Sequence, residues 1–323
     1  MTHPKKAKPE TKIAALNAVC PYYTMFPIEY PLSILRRYRR KTIRVLDPFC
    51  GRGTTIFAAR LLGHEGFGID SSPVAVAIAK AKVANCDADD VIHLANKILN
   101  GSNRVTIPTG DFWDWAYDRN TLKAVCRLRA GLLNARVDAA NVLRAICLGA
   151  LHGPLSKNPE SASYFSNQMP RTFASKPAYS VKFWRKRKMK PRSVNVSAVI
   201  QRRLTRLGLE KLKRPRGLPE ITQGDARMKP SYRALSGRVE TVISSPPYYG
   251  MKTYIADQWL RNWFVGGPPS VPYSGVEQLS HDGPAEFAAS LGKVWDQVGD
   301  VLDENGRSFD EIAAERSRAR EEV

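Results

Sequence analysis

The sequence predicts an α/β protein built on a doubly wound parallel sheet, with a helical, basic segment inserted into it. Three stretches carry that expectation. Residues 45–56, VLDPFCGRGTTI, read as a strand, a glycine loop and the start of a helix. About eighteen residues further on, FGID reads as a second strand ending in an acid. Residues 239–244, VETVIS, read as another strand and run directly into SSPPYYG.

Composition is compatible with such a fold. At 323 residues with 43% hydrophobic content, the chain can bury a large core. The formal charge of +20 and a pI near 9.9 point to a polyanionic partner, most simply nucleic acid. The five cysteines (20, 50, 86, 126 and 147) have no paired spacing, so they suggest neither a disulfide framework nor a zinc site. No apolar run is long enough to span a membrane, and the N-terminus lacks the apolar core of a signal peptide. A reducing cytoplasm is the expected compartment.

Taken in order, residues 1–11 are basic and Pro-containing and are expected to be disordered. Residues 22–35, YYTMFPIEYPLSIL, mix aromatics and prolines ahead of a helix expected to run to about Arg40. The apolar run TIRVL ends at Asp47-Pro48, and Gly51 and Gly53 then permit a tight turn and close approach of a ligand to the backbone. The free amides where TTIFAARLLG begins its helix favour a polar or anionic group. No Gly-Lys-Ser/Thr follows Gly53, which excludes a P-loop, and the dinucleotide spacing fails at the third glycine. Asp70 closes FGID, where an acid can take both hydroxyls of a ribose. SSPVAVAIAKAK then reads as a helix capped by Ser71 or Ser72, with Pro73 in its first turn.

The third core strand has two candidates. RVTIPTGDFWDW, at 104–115, would put Asp111 at a strand end; ITQGDAR would do the same for Asp225. The second is preferred, because it lies about twenty residues before SSPPY with a helix expected between them. That choice makes 111–220 an insertion, flanked by a cofactor-binding part at 12–110 and a catalytic part at 221–306, with a charged tail at 307–323. Within the insertion, residues 121–151 are helical by pattern and place Cys126 and Cys147 among core atoms. Residues 163–179 read as a loop carrying Asn167, Gln168 and Arg171. From 176 to 216 there are fifteen Lys or Arg and one acid, Glu210. Because an ordinary solvated face mixes signs, this stretch is the candidate phosphate-contacting surface. Tyr179, Phe183 and Trp184 are candidates to stack on an unpaired base, and Asn167, Gln168 and Arg171 to read base edges.

DPFCGRGTT resembles the cofactor motif of the amino-methylating DNA methyltransferases, and SSPPYYG resembles their catalytic motif. The resemblance reaches to about Gly306 and implies a Rossmann-like methyltransferase sheet, S-adenosyl-L-methionine as cofactor, and double-stranded DNA as partner. A second copy of the chain and an associated restriction protein are further candidate partners. It implies that Asp47, Pro48, Phe49, Cys50, Gly51, Gly53 and Thr54 line the methionine side of the cofactor, that Asp70 and Ser71 meet the ribose, and that Asp225 sits near the adenine. Phe26 and Pro27 would close over the methionine end; the alternative for that segment is an aromatic hook packing the N-terminus onto the core. Ser245, Pro246, Pro247 and Tyr248 would form the catalytic turn.

The Ser-Pro-Pro-Tyr form is more like the cytosine-N4 branch than the adenine-N6 branch, which more often begins with Asp or Asn. A ring-carbon methylase is excluded, because such enzymes need a cysteine after proline and the chain has no Pro-Cys dipeptide. One departure stands out. After the turn DENGR the family pattern calls for a fifth strand and a closing hairpin, but the chain continues SFDEIAAERSRAREEV, polar and helix-prone. The C-terminal strands are therefore expected to be missing, and a catalytically impaired DNA-binding remnant is the competing reading to an enzyme.

Overall fold

Strand β1 (Arg44–Asp47) lies at the centre of a sheet whose strands all run parallel. The computed structural model describes residues 15–22, 27–38, 41–154, 162–169, 176–209, 219–233, 235, 238–250, 255–271 and 283–310. By contact the chain divides into a unit built on the sheet (Tyr22–Val83, Leu212–Thr253 and Val276–Val323) and a helical unit (Met1–Pro21, Ala84–Lys211 and Tyr254–Gly275).

In the sheet unit, helix α1 (Glu29–Leu35) passes into a 3-10 turn, Arg36–Tyr38, and leads to β1. Helix α2 (Thr54–Leu61), strand β2 (Glu65–Asp70) and helix α3 (Pro73–Val83) follow. After the helical unit come β3 (Glu220–Gln223) and β4 (Val239–Ser244), then a helix over Pro284–Val301 and strand β5 (Leu302–Asp310). The strand order is β3-β2-β1-β4-β5. Both faces are covered, as a parallel sheet requires. On one, Leu46, Phe67, Ile69 and Val242 pack with Val294 and Val298 of the Pro284–Val301 helix. On the other, Ile56 of α2 and Val76 and Ala79 of α3 pack with Cys50 and Ile221.

One sequence expectation is corrected here, and the preferred of the two candidate third strands is the one that forms. The fifth strand is present: β5 pairs with β4 from Val239↔Leu302 to Ser244↔Asp310, with a bulge between Val239 and Thr241. Among the described residues β5 is the last strand of the sheet, paired through its backbone with β4, and its residues, LDENGRSFD, show no apolar alternation. The closing hairpin would lie beyond residue 310, outside the described residues. The alternative strand at 104–115 does not form. Pro108 and Gly110, the latter at φ +114, break it, and Asp111–Ala116 becomes a helix.

The helical unit contains α4 (Ala88–Leu99), α5 (Asp111–Ala116), α6 (Arg119–Leu133), α7 (Asp138–Ala150), α8 (Pro177–Lys186), α9 (Val196–Leu207) and α10 (Ile255–Phe264). The local signals explain their limits. Asp87 and Asp90 form a capping box on α4, Asp118 caps α6, Asn195 caps α9, and Gly208 ends α9 in the left-handed region. The unit begins at Ala84, not at residue 111, because α4 packs on α6, α7 and α9. It also takes in α10, whose Trp259 and Trp263 join Trp113 at 5.6 and 4.6 Å between ring centroids. Cys126 and Cys147 are buried core atoms, as expected. Among the described residues no helix is long and apolar enough to cross a membrane.

Candidate active site

In a doubly wound sheet, ligands bind at the carboxyl ends of the strands, where the strand order reverses. Here that point lies between β1 and β4, which are neighbours in register at Leu46↔Val242. Of the residues singled out from sequence, Asp47 and Asp70 end β1 and β2, Asp225 follows β3, and Ser245 follows β4.

β1 delivers Asp47, which is 1% exposed. Its Oδ1 accepts the Phe49 amide at 3.1 Å, a side-chain turn that starts the loop. The Cys50 amide donates to the Ile69 carbonyl at 2.9 Å and so ties the loop to β2. Gly51 and Gly53 both sit in the left-handed region, at φ +49 and +74. Their surroundings differ. A Cβ on Gly53 would lie 2.8 Å from the Ala79 Cβ, whereas one on Gly51 would meet nothing within 4 Å. Gly53 thus lets α3 pack close, and Gly51 faces open space. Thr54 opens α2 and is buried; Thr55 beside it donates from Oγ1 to the Ile243 carbonyl at 3.2 Å, joining α2 to β4.

β2 ends at Asp70, whose Oδ2 accepts the Gly51 amide at 2.9 Å and whose Oδ1 accepts the Ser72 amide at 2.8 Å. Of the two candidate caps, Ser72 is the one that accepts the Ala75 amide, while Ser71 is exposed. The Tyr22 hydroxyl donates to Ser72 Oγ at 3.1 Å, so this first residue of the aromatic segment acts as a hook. Pro27 is exposed, and Phe26 lies outside the described residues. β3 leads to Gly224, whose amide donates to the Asp70 carbonyl at 3.0 Å, and to Asp225. Both carboxylate oxygens of Asp225 are held by Arg227, at 2.6 Å for the shortest contact. The predicted adenine-side acid is therefore one half of an ion pair.

β4 ends at Ser244, also 1% exposed, whose hydroxyl donates to Asp47 Oδ1 at 2.7 Å. In the turn that follows, Ser245 and Pro247 are half-buried and Pro246 is buried. Tyr248 and Tyr249 are 42% and 47% exposed, and the Tyr249 ring meets Phe287 edge-on at 5.7 Å.

Burial sets the electrostatics. It raises the Asp47 carboxyl to about 6, against the opposing hydrogen bonds from Ser244, Thr55 and Phe49, and the charge of Asp70 adds to the rise. Asp70 is raised by burial as well, offset by the Ser72 and Gly51 amides. The Cys50 thiol is pushed well above its ordinary value by burial and then by the two acids, which keeps it neutral and unreactive. The Arg227 guanidinium holds Asp225 below the usual carboxylate range.

Sequence reading missed Ser244, Thr55 and Arg227. The signal available for Ser244 is its place as the last residue of the strand that runs into the Ser-Pro-Pro-Tyr turn.

In the helical unit, several residues assigned to the phosphate- or base-contacting surface are structural instead. Trp184 is completely buried and donates from Nε1 to the Gln168 carbonyl at 3.0 Å, so it does not stack on a base. The Asn167 side-chain amide donates to the Trp115 and Met189 carbonyls at 3.2 and 2.6 Å. Arg203 donates to the Ser163 carbonyl at 2.9 Å, and Arg202 to that of Ala162. Phe183 is covered by the Arg187 guanidinium at 4.0 Å. Lys182, Arg185, Lys186, Arg187, Lys188, Lys190, Arg192 and Tyr179 are exposed. Arg171 and residues 211–216 lie outside the described residues.

Comparison with known proteins adds the following. Residues 2–81 match the N6/N4 methylase family model, described as DNA methylase. That match bears out the resemblance read from DPFCGRGTT. Two solved structures of the rRNA methyltransferase aviRa from Streptomyces viridochromogenes align over 94% of this chain and 82% of theirs, at 11% and 12% identity, each with a TM-score of 0.37. A score that low carries no argument about fold or substrate. No curated protein sequence matches the chain.

Proposed function

We propose that this chain, which carries the amino-methylating DNA methylase signature in residues 2–81, transfers a methyl group from S-adenosyl-L-methionine to the exocyclic N4 amine of cytosine in DNA. The observation that carries the reading is the buried hydrogen bond from Ser244 to Asp47. It joins the glycine loop and the Ser-Pro-Pro-Tyr turn at the one place in the sheet where a ligand is expected.

The residues present fit the cofactor. Gly51 offers a left-handed backbone with open space where a side chain would stand. Each oxygen of Asp70 accepts one backbone amide, which leaves acceptor capacity for two ribose hydroxyls. Asp47 and Asp70 are acids suited to the positive end of a ligand, and Asp225 would meet the adenine as an ion pair with Arg227. When bound, S-adenosyl-L-methionine supplies an electrophilic methyl on a sulfonium.

The chain's own work is to aim the amine. A cytosine amine is a poor nucleophile because its lone pair is delocalised into the ring. The Ser245 side chain and the Pro246 carbonyl would accept hydrogen bonds from its two hydrogens and favour a more tetrahedral nitrogen. Pro246 and Pro247 stiffen the turn, since proline fixes φ. Tyr248, exposed at the turn, would stack on a base extruded from the duplex. Positive charge developing on the nitrogen is stabilised by these oxygens, and one of its two protons then passes to water to leave the neutral methylamine.

The test is nucleoside mass analysis of duplex DNA and structured RNA incubated with protein and cofactor. N4-methylcytosine in DNA is expected. N6-methyladenine alone would overturn the cytosine assignment, and product only in RNA would overturn the DNA assignment. A folded protein that releases no heat with cofactor would favour the DNA-binding remnant, whose sequence support was a missing fifth strand and closing hairpin, of which the strand is present as β5.

A further inference from the structure

One hydrogen bond crosses the point where the strand order reverses. Ser244 Oγ donates to Asp47 Oδ1 at 2.7 Å, and the same oxygen accepts the Phe49 amide at 3.1 Å. A single buried oxygen therefore holds both the start of the glycine loop and the last residue of β4, immediately before Ser245. A second tie runs in parallel, from Thr55 in the first turn of α2 to the Ile243 carbonyl at 3.2 Å.

We propose that Ser244 is a positioning residue, whose hydroxyl, held by the Asp47 carboxylate, fixes the Ser245-Pro246 turn against the glycine loop. Its catalytic consequence rests on the methyltransferase reading; the hydrogen bond and its effect on the turn do not. Packing alone is a poor account of the pair. A buried carboxylate forfeits its hydration, and an apolar pair of similar volume would serve a core as well or better. Among the described residues no cationic side chain acts on the acid. The titratable groups around it are Asp70 at the end of β2, which adds repulsion, and Cys50 in the loop, which also feels Lys82 of α3. The acid stands where one acceptor oxygen reaches two donors, one in the loop after β1 and one at the end of β4.

The experiment compares wild type, Ser244→Ala and Ser244→Thr in three measurements. The first is the titration of the Asp47 carboxyl by NMR with labelled aspartate. The Ser244 hydrogen bond favours the charged form, so its loss in Ser244→Ala moves the titration to higher pH, and Ser244→Thr restores it. The second is amide hydrogen exchange over residues 245–250, which quickens in Ser244→Ala as the turn is released. The third is kinetics. In Ser244→Ala, kcat falls roughly tenfold to a hundredfold while the calorimetric Kd for cofactor stays within about threefold, the acid limb of kcat shifts up in pH with the carboxyl, and Ser244→Thr recovers activity.

An unmoved Asp47 titration overturns the latch. A moved titration with unchanged exchange and kcat overturns the positioning role. A wild type that binds no cofactor and transfers no methyl rejects the methyltransferase reading instead, and the titration and exchange measurements then decide the latch by themselves.

Discussion

Replacing Asp47 with Asn should change how stability depends on pH, in a direction opposite to that of most carboxylates. Buried in the sheet unit, Asp47 ionises at about 6, whereas an unfolded aspartate does so at 3.8. Below 3.8 both states hold the proton and the group is neutral in its effect. Between 3.8 and 6 the unfolded chain ionises while the folded one resists, so stability is lost as pH rises through that window and the loss is complete above it. At 1.36 kcal/mol per pH unit, the loss is on the order of 3 kcal/mol. Asparagine keeps the acceptor for Ser244 and Phe49 but does not titrate. Urea unfolding of both proteins from pH 4 to pH 8 at constant ionic strength isolates the effect. The stability of Asp47→Asn relative to wild type should climb by that amount from pH 4 to pH 7.5 and then level off. A strained or unsatisfied amide would shift the whole curve but could not give it this slope. Two parallel curves would show that Asp47 is not buried as a carboxylate.

Asp70→Ala should weaken cofactor binding by more than about tenfold, or about 1.4 kcal/mol, in calorimetry, with DNA affinity unchanged; equal cofactor affinity would reject the ribose role. Neutralising Arg185, Lys186, Arg187 and Lys188 together should flatten the dependence of DNA binding on salt, whose log–log slope is roughly −0.9 per phosphate neutralised, and should weaken cognate and scrambled duplexes alike. A slope that does not change would place the DNA elsewhere. Trp184→Ala should cost about 3–5 kcal/mol of stability, measured by chemical unfolding, since it empties a fully buried site; a loss of DNA affinity without a loss of stability would reverse that assignment.

Sequence made the glycine loop legible because its determinants are local. Two glycines, an Asp-Pro strand end and a helix-forming run lie within one short segment, and each has a backbone consequence of its own. β5 is not legible, because LDENGRSFD has no apolar pattern to display it and its pairing with the backbone of β4 leaves no mark in the sequence. The limits of the helical unit were hidden for a related reason. The apolar face of α4 announces burial but does not say against what, and its partners in α6, α7 and α9 are distant in the chain. Trp184 was legible and was misread. Ser180, Val181 and Trp184 fall at helical spacing and are all buried, so the period of α8 turns the tryptophan inward even though Lys182, Arg185 and Lys186 make the same helix basic.

The two acids of the sheet unit show why such a site should be expensive to keep. Asp47 and Asp70 stand at the ends of adjacent strands, both are raised by burial, and the charge of Asp70 acts on Asp47 to raise it further. Each is held by donors from the loops around it: Ser244 and Phe49 for Asp47, Gly51 and Ser72 for Asp70. Those donors fix the carboxylates in place without cancelling their charge. The folded protein therefore holds two buried acids side by side at the carboxyl edge of its sheet, in a chain of overall charge +20. A ligand bearing positive charge would relieve the repulsion between the acids, and the hydrogen bonds that hold them need not rearrange to receive it. On the proposed function, that is the part the sulfonium end of the cofactor plays. On that reading, stability forgone by ionising Asp47 in the free protein would be regained when the cation binds.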